Sequence, residues 1–527
     1  MATTTPFHLV RLGCLAIFLC LAAALPSHSS SSPHVPRYFR RYPVSPRNIS
    51  VATIQRELGP TLSQGSTIFG PENPGFANAT HRFSLLSPPG VQIVVIPAHE
   101  SDVSEIVKYC VHNTIEFLAY NRGHGSTTSL GKFKGLQINM QLLNNITIAA
   151  DKKSAMLQGG TYNDQVMRTL WDQGYVTMTG STDCVGVMGP ALGGGHGRYE
   201  GMYGLISDNF LQLNVVLADG SAMAVDAKSD PDLWWALQGA GHNFAIVTSL
   251  KMRIFPRQVD SWHYHSYYWT GDQLETVFKA MNAFHRSDNG TTPPRMGVNA
   301  GAVVMNSTIS ATEASLYWSF TYAGPAAEAE ALLAPFFGSI PNAGEESGDV
   351  PYPDLSAAQR VDAAHGGCNS GTYATSSILM RDYNVTAQRR AYDSFNVWAA
   401  RYPDLGRRAR YYYEGYATKA VHEVDDAATA YPHRDETHIV YFSTGVPEGS
   451  DLLGPATEWA KATWDIWVEG EDPVRPKIYV NYAKGHSYET TEAIYGYEPW
   501  RLEKLRRLKA KYDPQNRFGY YVPIVSK

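Results

Sequence analysis

The chain has 527 residues, 44% of them hydrophobic and 18% charged, more than one hydrophobic core usually serves, so two domains or one elaborated architecture is expected. With 45 glycines and 31 prolines it is a folded chain rich in turns rather than a disordered one. A formal net charge of -5, with no basic run of the kind that tracks phosphates, excludes nucleic acid as a partner.

In chain order, Arg11 precedes the apolar run LGCLAIFLCLAAAL, Leu12 to Leu25, with small residues at Ala22 and Ala24 just before Pro26. This is a secretory signal pattern, assigned to residues 1–24, and it is too short to span a bilayer. Asn48, Asn78, Asn145, Asn289, Asn306 and Asn384 each open an Asn-x-Ser/Thr sequon, so N-glycans are expected at some of them. No later segment is long enough for a membrane span, and a secreted monomer without a membrane partner is the expectation. Cys14 and Cys20 leave with the signal. Cys110, Cys184 and Cys368 then allow one disulfide and one free thiol, and without a Cys-x-x-Cys pair no metal site is expected.

The apolar run Val91 to Pro97 predicts a strand. Asp102 and Glu105 fit a capping box for a helix whose Val103, Ile106, Val107, Cys110 and Val111 share one face. Strands are predicted at Ile115 to Tyr120, Leu136 to Met140, Ser154 to Leu157 and Leu211 to Leu217, with a helix over Asp164 to Trp171. A short helix, a glycine turn and a long strand fill Asp232 to Ile254. From Trp262 to about Pro473, aromatic runs interleave with helical Ala-rich stretches such as Ala326 to Phe336, which reads as a second, antiparallel α+β domain. The helix Pro499 to Lys511 reads as a return to the first domain.

Two glycine-rich loops follow apolar strands: Asn121-Arg122-Gly123-His124-Gly125, and the stretch ending in Gly193-Gly194-Gly195-His196-Gly197. Neither has the spacing of a dinucleotide fingerprint or a P-loop, but glycine lets a cofactor approach the backbone.

The segments NRGHGS, GSTDCVGVMGPALGGGHG, YGLISDNFLQLNVVLADG, DLWWALQGAGHNFAIVTS and the YVNY tail together resemble the berberine-bridge-enzyme-like FAD-linked oxidases of the vanillyl-alcohol-oxidase superfamily. The resemblance covers nearly the whole mature chain. It implies an α+β fold: a two-subdomain, PCMH-type FAD-binding domain (40–256), a substrate domain of antiparallel sheet with helices (257–475), and a segment returning to the first domain (476–527). It also implies FAD bonded to His124, with Arg122, Gly123, Gly125, Ser126, Thr182, Val185, Gly186, Gly189, Gly194, Gly195, Ile246 and Asn481 against it. Relatives carry a second tether from a cysteine where this chain has Thr182, so a single tether is expected. Val185 stands where the family admits dioxygen. His196 replaces the tyrosine that plant relatives place after the three glycines, and with Tyr479 and Tyr482 it is a candidate catalytic group, the choice of base being open. If Tyr479 to Tyr482 is a strand, pleating puts Tyr482 opposite Tyr479 and Asn481. Tyr431-Pro432-His433-Arg434 matches a family landmark and reads as structural. A disulfide between the inward-facing Cys110 and Cys184 is the expectation. The activity implied is oxidation of a CH-OH or CH-NH carbon with O2 as acceptor, giving H2O2, on a carbohydrate, oligosaccharide or small secondary metabolite; a catalytically silent flavin-containing binding protein is the alternative.

Overall fold

The computed structural model describes residues 50–471 and 474–525. The expected signal peptide, Cys14, Cys20 and the Asn48 sequon lie outside them. No described helix is long and apolar enough to cross a membrane.

Among the described residues three large sheets and a two-stranded ribbon, Tyr175–Val176 with Phe255–Pro256, organise an α+β chain. The first has the order Thr67–Phe69, Gly90–Ile96, Lys134–Asn139, Phe117–Tyr120, with the last three strands parallel. The parallel crossover between Gly90–Ile96 and Phe117–Tyr120 is the helix Glu100–His112, whose Val103, Ile106, Val107 and Cys110 are fully buried against the sheet. The capping residue differs from the sequence expectation. His99, not Asp102, is the N-cap, and Asp102 sits at the third helical position, accepting from the backbone amides of His99 (2.9 Å) and Ala98 (3.1 Å). Asp102 also accepts from the amide and hydroxyl of Ser63 and from the hydroxyl of Ser66. Burial pushes this carboxyl up, but those hydrogen bonds outweigh it and hold the group below its ordinary range.

The second sheet is antiparallel, ordered Ile146–Ile148, Ser154–Gln158, Ile246–Arg253, Phe210–Val216, Ala222–Val225. The C-terminal helix Pro499–Tyr512 packs by Leu502, Leu505 and Leu508 into the same core and touches the helix Pro231–Leu237. Buried Lys509 fastens it, donating to the Asn243 carbonyl at 2.6 Å and to Asp513 at 2.7 Å. The tail thus belongs to the N-terminal half.

The third sheet has seven antiparallel strands, ordered Gly344–Val350, Trp262–Trp269, Ala314–Tyr322, Asn299–Met305, Arg410–Gly415, His438–Val446, Thr372–Met380. Helices Leu274–Phe284, Ala326–Phe337, Val385–Arg401 and Leu453–Glu469 cover one face. Pleating sends Tyr411, Tyr413, Val440 and Phe442 into that helix-covered core. The alternate residues Tyr412, Glu414, Tyr441 and Ser443 line a cavity shared with the N-terminal half.

Asp102→Ala removes the acceptor of the His99 and Ser63 amides and of two serine hydroxyls, while the Ala98 amide keeps Ser66, so a loss of about 1–2 kcal/mol is expected, read as a lower midpoint in urea unfolding. An unchanged midpoint would remove Asp102 from the list of groups that hold this crossover.

Candidate functional site

The cavity measures about 780 Å³, within the range of small-molecule and cofactor sites. Its first wall is the loop after Phe117–Tyr120. The Asn121 amide donates to the carbonyls of Gly159 and Thr161, both at 2.9 Å, and so ties this loop to the end of the strand Ser154–Gln158 in the second sheet. Arg122 lies 4.2 Å over the Tyr162 ring. Gly123 has φ +75°, and a Cβ there would lie 2.4 Å from the His81 carbonyl; at Gly125 it would meet the Tyr521 ring at 2.9 Å. The glycines are demanded by neighbouring protein, and their effect is to leave His124 at the cavity wall.

His124 stacks on Phe83, ring centroids 5.0 Å apart, and Phe83 stacks in turn on Tyr373. Burial first, then the positive fields of Arg122 and His81, lower its pKa to about 4. At neutral pH the imidazole therefore keeps a free lone pair, the form in which it is a nucleophile. Ser126 beside it accepts from Lys484, whose pKa burial lowers to about 8 despite Glu489.

The second wall is the loop Thr182 to Gly189. Cys184 is bonded to Cys368, with Cα atoms 6.2 Å apart, and Cys110 is free and buried. This corrects the expected Cys110 to Cys184 pair. An inward-facing residue on Glu100–His112 is spent on the first core, whereas Cys184 lies on a loop that meets the loop carrying Cys368. The Cys184 sulfur stands 3.4 Å from Nε2 of His124.

Gly194 and Gly195, expected against the cofactor, do not line the cavity; every other residue of the expected site does. Their φ values are +99° and +85°, and a Cβ would lie 2.7 Å from the Tyr431 ring at Gly194 and 2.7 Å from Ile206 at Gly195. They fold the chain so that His196 enters the cavity. Glu200 holds Nδ1 of His196 at 2.9 Å, and Nε2 faces the Tyr431 hydroxyl at 2.9 Å. A carboxylate only accepts, so Nδ1 donates to Glu200, while Nε2 and the Tyr431 hydroxyl share the second hydrogen bond. Tyr431, read as structural from sequence, is thus part of this cluster.

The tail adds the third wall. Residues 479–482 form a turn and not a strand: the Tyr482 amide donates to the Tyr479 carbonyl at 2.8 Å. The turn replaces the expected opposition of side chains, and Tyr479, Asn481 and Tyr482 all reach the cavity. Asn481 donates to the Tyr479 hydroxyl at 2.6 Å. The Tyr482 hydroxyl donates to Glu414 Oε1 and the Tyr416 hydroxyl to Glu414 Oε2, both at 2.8 Å. Tyr416 lies 4.8 Å from the His196 ring, as does Tyr479. Burial raises the pKa of Tyr416, Tyr431, Tyr479 and Tyr482 above the ordinary phenol value, so all four are neutral phenols at pH 7. Burial also raises Glu414, the hydrogen bonds from Tyr416 and Tyr482 partly offsetting it. Sequence reasoning missed Glu200, Glu414 and Tyr416. Glu200, four residues after His196, was the one recognisable signal; YYYEG gave none, because a run of tyrosines hides the alternation.

A flavin fits this arrangement. Asn121 Oδ1, Ser181 Oγ, His242 Nδ1 and Asn481 Oδ1 are buried at the cavity wall without a hydrogen-bond partner among the described residues, and buried polar atoms of this kind call for a polar ligand. A Cβ on Gly189 would meet nothing within 4 Å, so backbone there is open to a planar group. His124 can hold such a group at one end and Asn481 beside Tyr479 at the other.

Comparison with known proteins agrees. Residues 91–226 match a family described as FAD binding domain, and residues 478–524 match one described as berberine and berberine like. An FAD-linked oxidoreductase of Pestalotiopsis fici is 55% identical over 502 residues, covering 95% of this chain and 96% of its own. An FAD-linked oxidoreductase of Pyricularia oryzae is 48% identical over 496 residues, covering 93% and 95%. A solved glucooligosaccharide oxidase from Acremonium strictum, described as carrying 6-S-cysteinyl, 8α-N1-histidyl FAD, shares the fold. Its TM-score is 0.75 at 20% identity, over 90% of this chain and 100% of that one.

A non-reducing peptide map is expected to give one linked pair containing Cys184 and Cys368, with Cys110 alkylated only after denaturation. A Cys110-containing linked peptide would overturn the assignment.

Proposed function

Because the chain belongs to the berberine-bridge-enzyme-like FAD-linked oxidoreductases, we propose that it is a secreted oxidase with a single covalent flavin tether at His124. Its substrate is a ring-bearing alcohol or amine, a sugar or a small secondary metabolite. A flavin held by His124 and Asn481 would supply the hydride acceptor for the substrate carbon and, with O2 as the electron acceptor, the route to H2O2. The neutral imidazole of His124 supports the tether, since a ring nitrogen must offer a lone pair to a carbon. Thr182 has no thiol, and Cys184 is held by Cys368, so neither offers a second tether.

The observation that carries the reading is Glu414, a carboxylate gripped by two phenol hydroxyls inside the cavity. Hydride leaves an alcohol carbon readily only as the hydroxyl proton leaves with it. The tyrosines are too weakly acidic to stand as phenolates. Tyr482 can instead accept the substrate proton while its own passes to Glu414 Oε1, so that no free phenolate forms. Burial makes Glu414 a stronger base than a surface carboxylate, which favours that transfer. Both nitrogens of His196 are engaged, by Glu200 and Tyr431, which gives it a supporting place beside Tyr416 rather than that of first proton acceptor. Tyr373, Tyr412, Tyr441 and Tyr482 offer aromatic faces for a ring.

Export and glycosylation remain part of this proposal, together with action as a monomer. Asn78, Asn145 and Asn289 are exposed. Asn384 is exposed too, but its side chain caps the helix Val385–Arg401 and donates to the Gly470 carbonyl, which disfavours a glycan there.

Glu414→Gln is expected to slow anaerobic flavin bleaching by substrate about 100-fold or more with the flavin spectrum retained, and Tyr482→Phe by a similar factor. His196→Asn should cost less than either. A Glu414→Gln enzyme bleaching at the wild-type rate refutes this assignment. Acid-precipitated wild-type protein should stay yellow and His124→Ala protein should come down colourless; a yellow His124→Ala precipitate would place the tether elsewhere.

A further inference from the structure

A second cluster of titratable groups lies in the seven-stranded sheet, and none of its members lines the cavity. His263 and His265 share one face of the strand Trp262–Trp269, two residues apart. Glu330, on the helix Ala326–Phe337 that covers this face, points one oxygen at both rings: Oε1 is 2.9 Å from His263 Nε2 and 2.7 Å from His265 Nδ1. The outer nitrogens also face carboxylates. His263 Nδ1 lies 2.8 Å from Asp349, and His265 Nε2 lies 3.4 Å from Glu345. The two histidine side chains are 6% and 10% exposed, while Glu330 is 40% exposed and opens the cluster to solvent.

Two imidazole nitrogens and one carboxylate oxygen, all ligand-type atoms, thus converge on one point. We propose that His263, His265 and Glu330 form a binding site for a divalent ion of the zinc type. The outer nitrogen of His263 donates to Asp349, which turns its Nε2 lone pair inward, and His265 turns Nδ1 to the same Glu330 oxygen, so each ring presents one nitrogen to the ion. This is the carboxylate–histidine–metal arrangement that orients ligating imidazoles. Candidate ligand atoms from the three residues lie within 4.8 Å of one another. Tetrahedral zinc, at about 2.0–2.1 Å from each ligand, wants them about 3.3 Å apart, so small side-chain rotations admit the ion. Imidazole donors select zinc or a neighbouring transition metal over magnesium or calcium. Water from the exposed side completes the shell. The other His/Cys group among the described residues, at His124, has both sulfurs committed to a disulfide.

The site also accounts for an unusual edge strand. Gly344–Val350 reads GEESGDV, and before Val350 it offers no apolar side chain. Glycine and acidic residues are poor strand formers. Asp349 and Glu345 give this strand its ties to the histidines, and an ion between the histidines and Glu330 joins strand, neighbour and helix.

The test is zinc titration of the full chain, first stripped with a chelator, in competition with a chromophoric chelator. One tight zinc per chain is expected, with magnesium failing to displace it. Glu330→Gln should weaken binding by far more than tenfold, and Asp349→Asn about tenfold, with unchanged circular dichroism. Should His265→Asn fail to fold, Glu330→Gln decides, being a partly exposed helix position. Wild-type affinity retained in Glu330→Gln, or no zinc bound in competition by the wild type, overturns the site and leaves a proton-bearing ion-pair cluster.

Discussion

The close approach of the Gly194 backbone to the Tyr431 ring is the constraint on which the site depends. Gly194 and Gly195 take conformations that side chains resist, and the space beside each is filled by Tyr431 and Ile206. Only with that turn made does His196 face Tyr431, 235 positions later in the chain, and lie beside Tyr416 and Tyr479. Three segments remote in sequence meet at one imidazole. Packing sets their relation, and hydrogen bonds to Glu200 and Tyr431 hold the ring in place.

Burial sets the chemistry of what is brought together. The same removal from water that keeps His124 neutral keeps the tyrosines protonated and strengthens Glu414 as a base. A site built of phenols alone would hold protons too firmly to exchange them. Glu414, reached by two phenols, is the carboxyl to which the proposed mechanism passes a phenol proton.

The seven-stranded sheet serves two surfaces through a single periodicity. On Arg410–Gly415, Tyr411 and Tyr413 anchor helices while Tyr412 and Glu414 face the cavity. On Trp262–Trp269, Tyr267 enters the helix-side core and His263 and His265 lie on the same face, nearer the sheet edge, where the helix above supplies a carboxylate instead of an apolar side chain.

Sequence by itself determined the local and the patterned: the strand and helix alternation of the first half, the antiparallel second domain, the return of Pro499–Tyr512, and the two glycine loops, the first of which leaves His124 at the cavity wall. Each rests on periodicity or on residue types confined to a short stretch, where local physics leaves few choices. Tertiary structure alone decided which cysteine meets Cys184, that Tyr431 is a partner of His196, that residues 479–482 turn instead of pleating, and that Glu414 stands between Tyr416 and Tyr482. The contacts of Cys184 with Cys368, His196 with Tyr431 and Glu414 with Tyr482 join residues 68 to 235 positions apart, and no short stretch records them, because what fixes them is the packing of whole sheets and the positions to which that packing carries their loops.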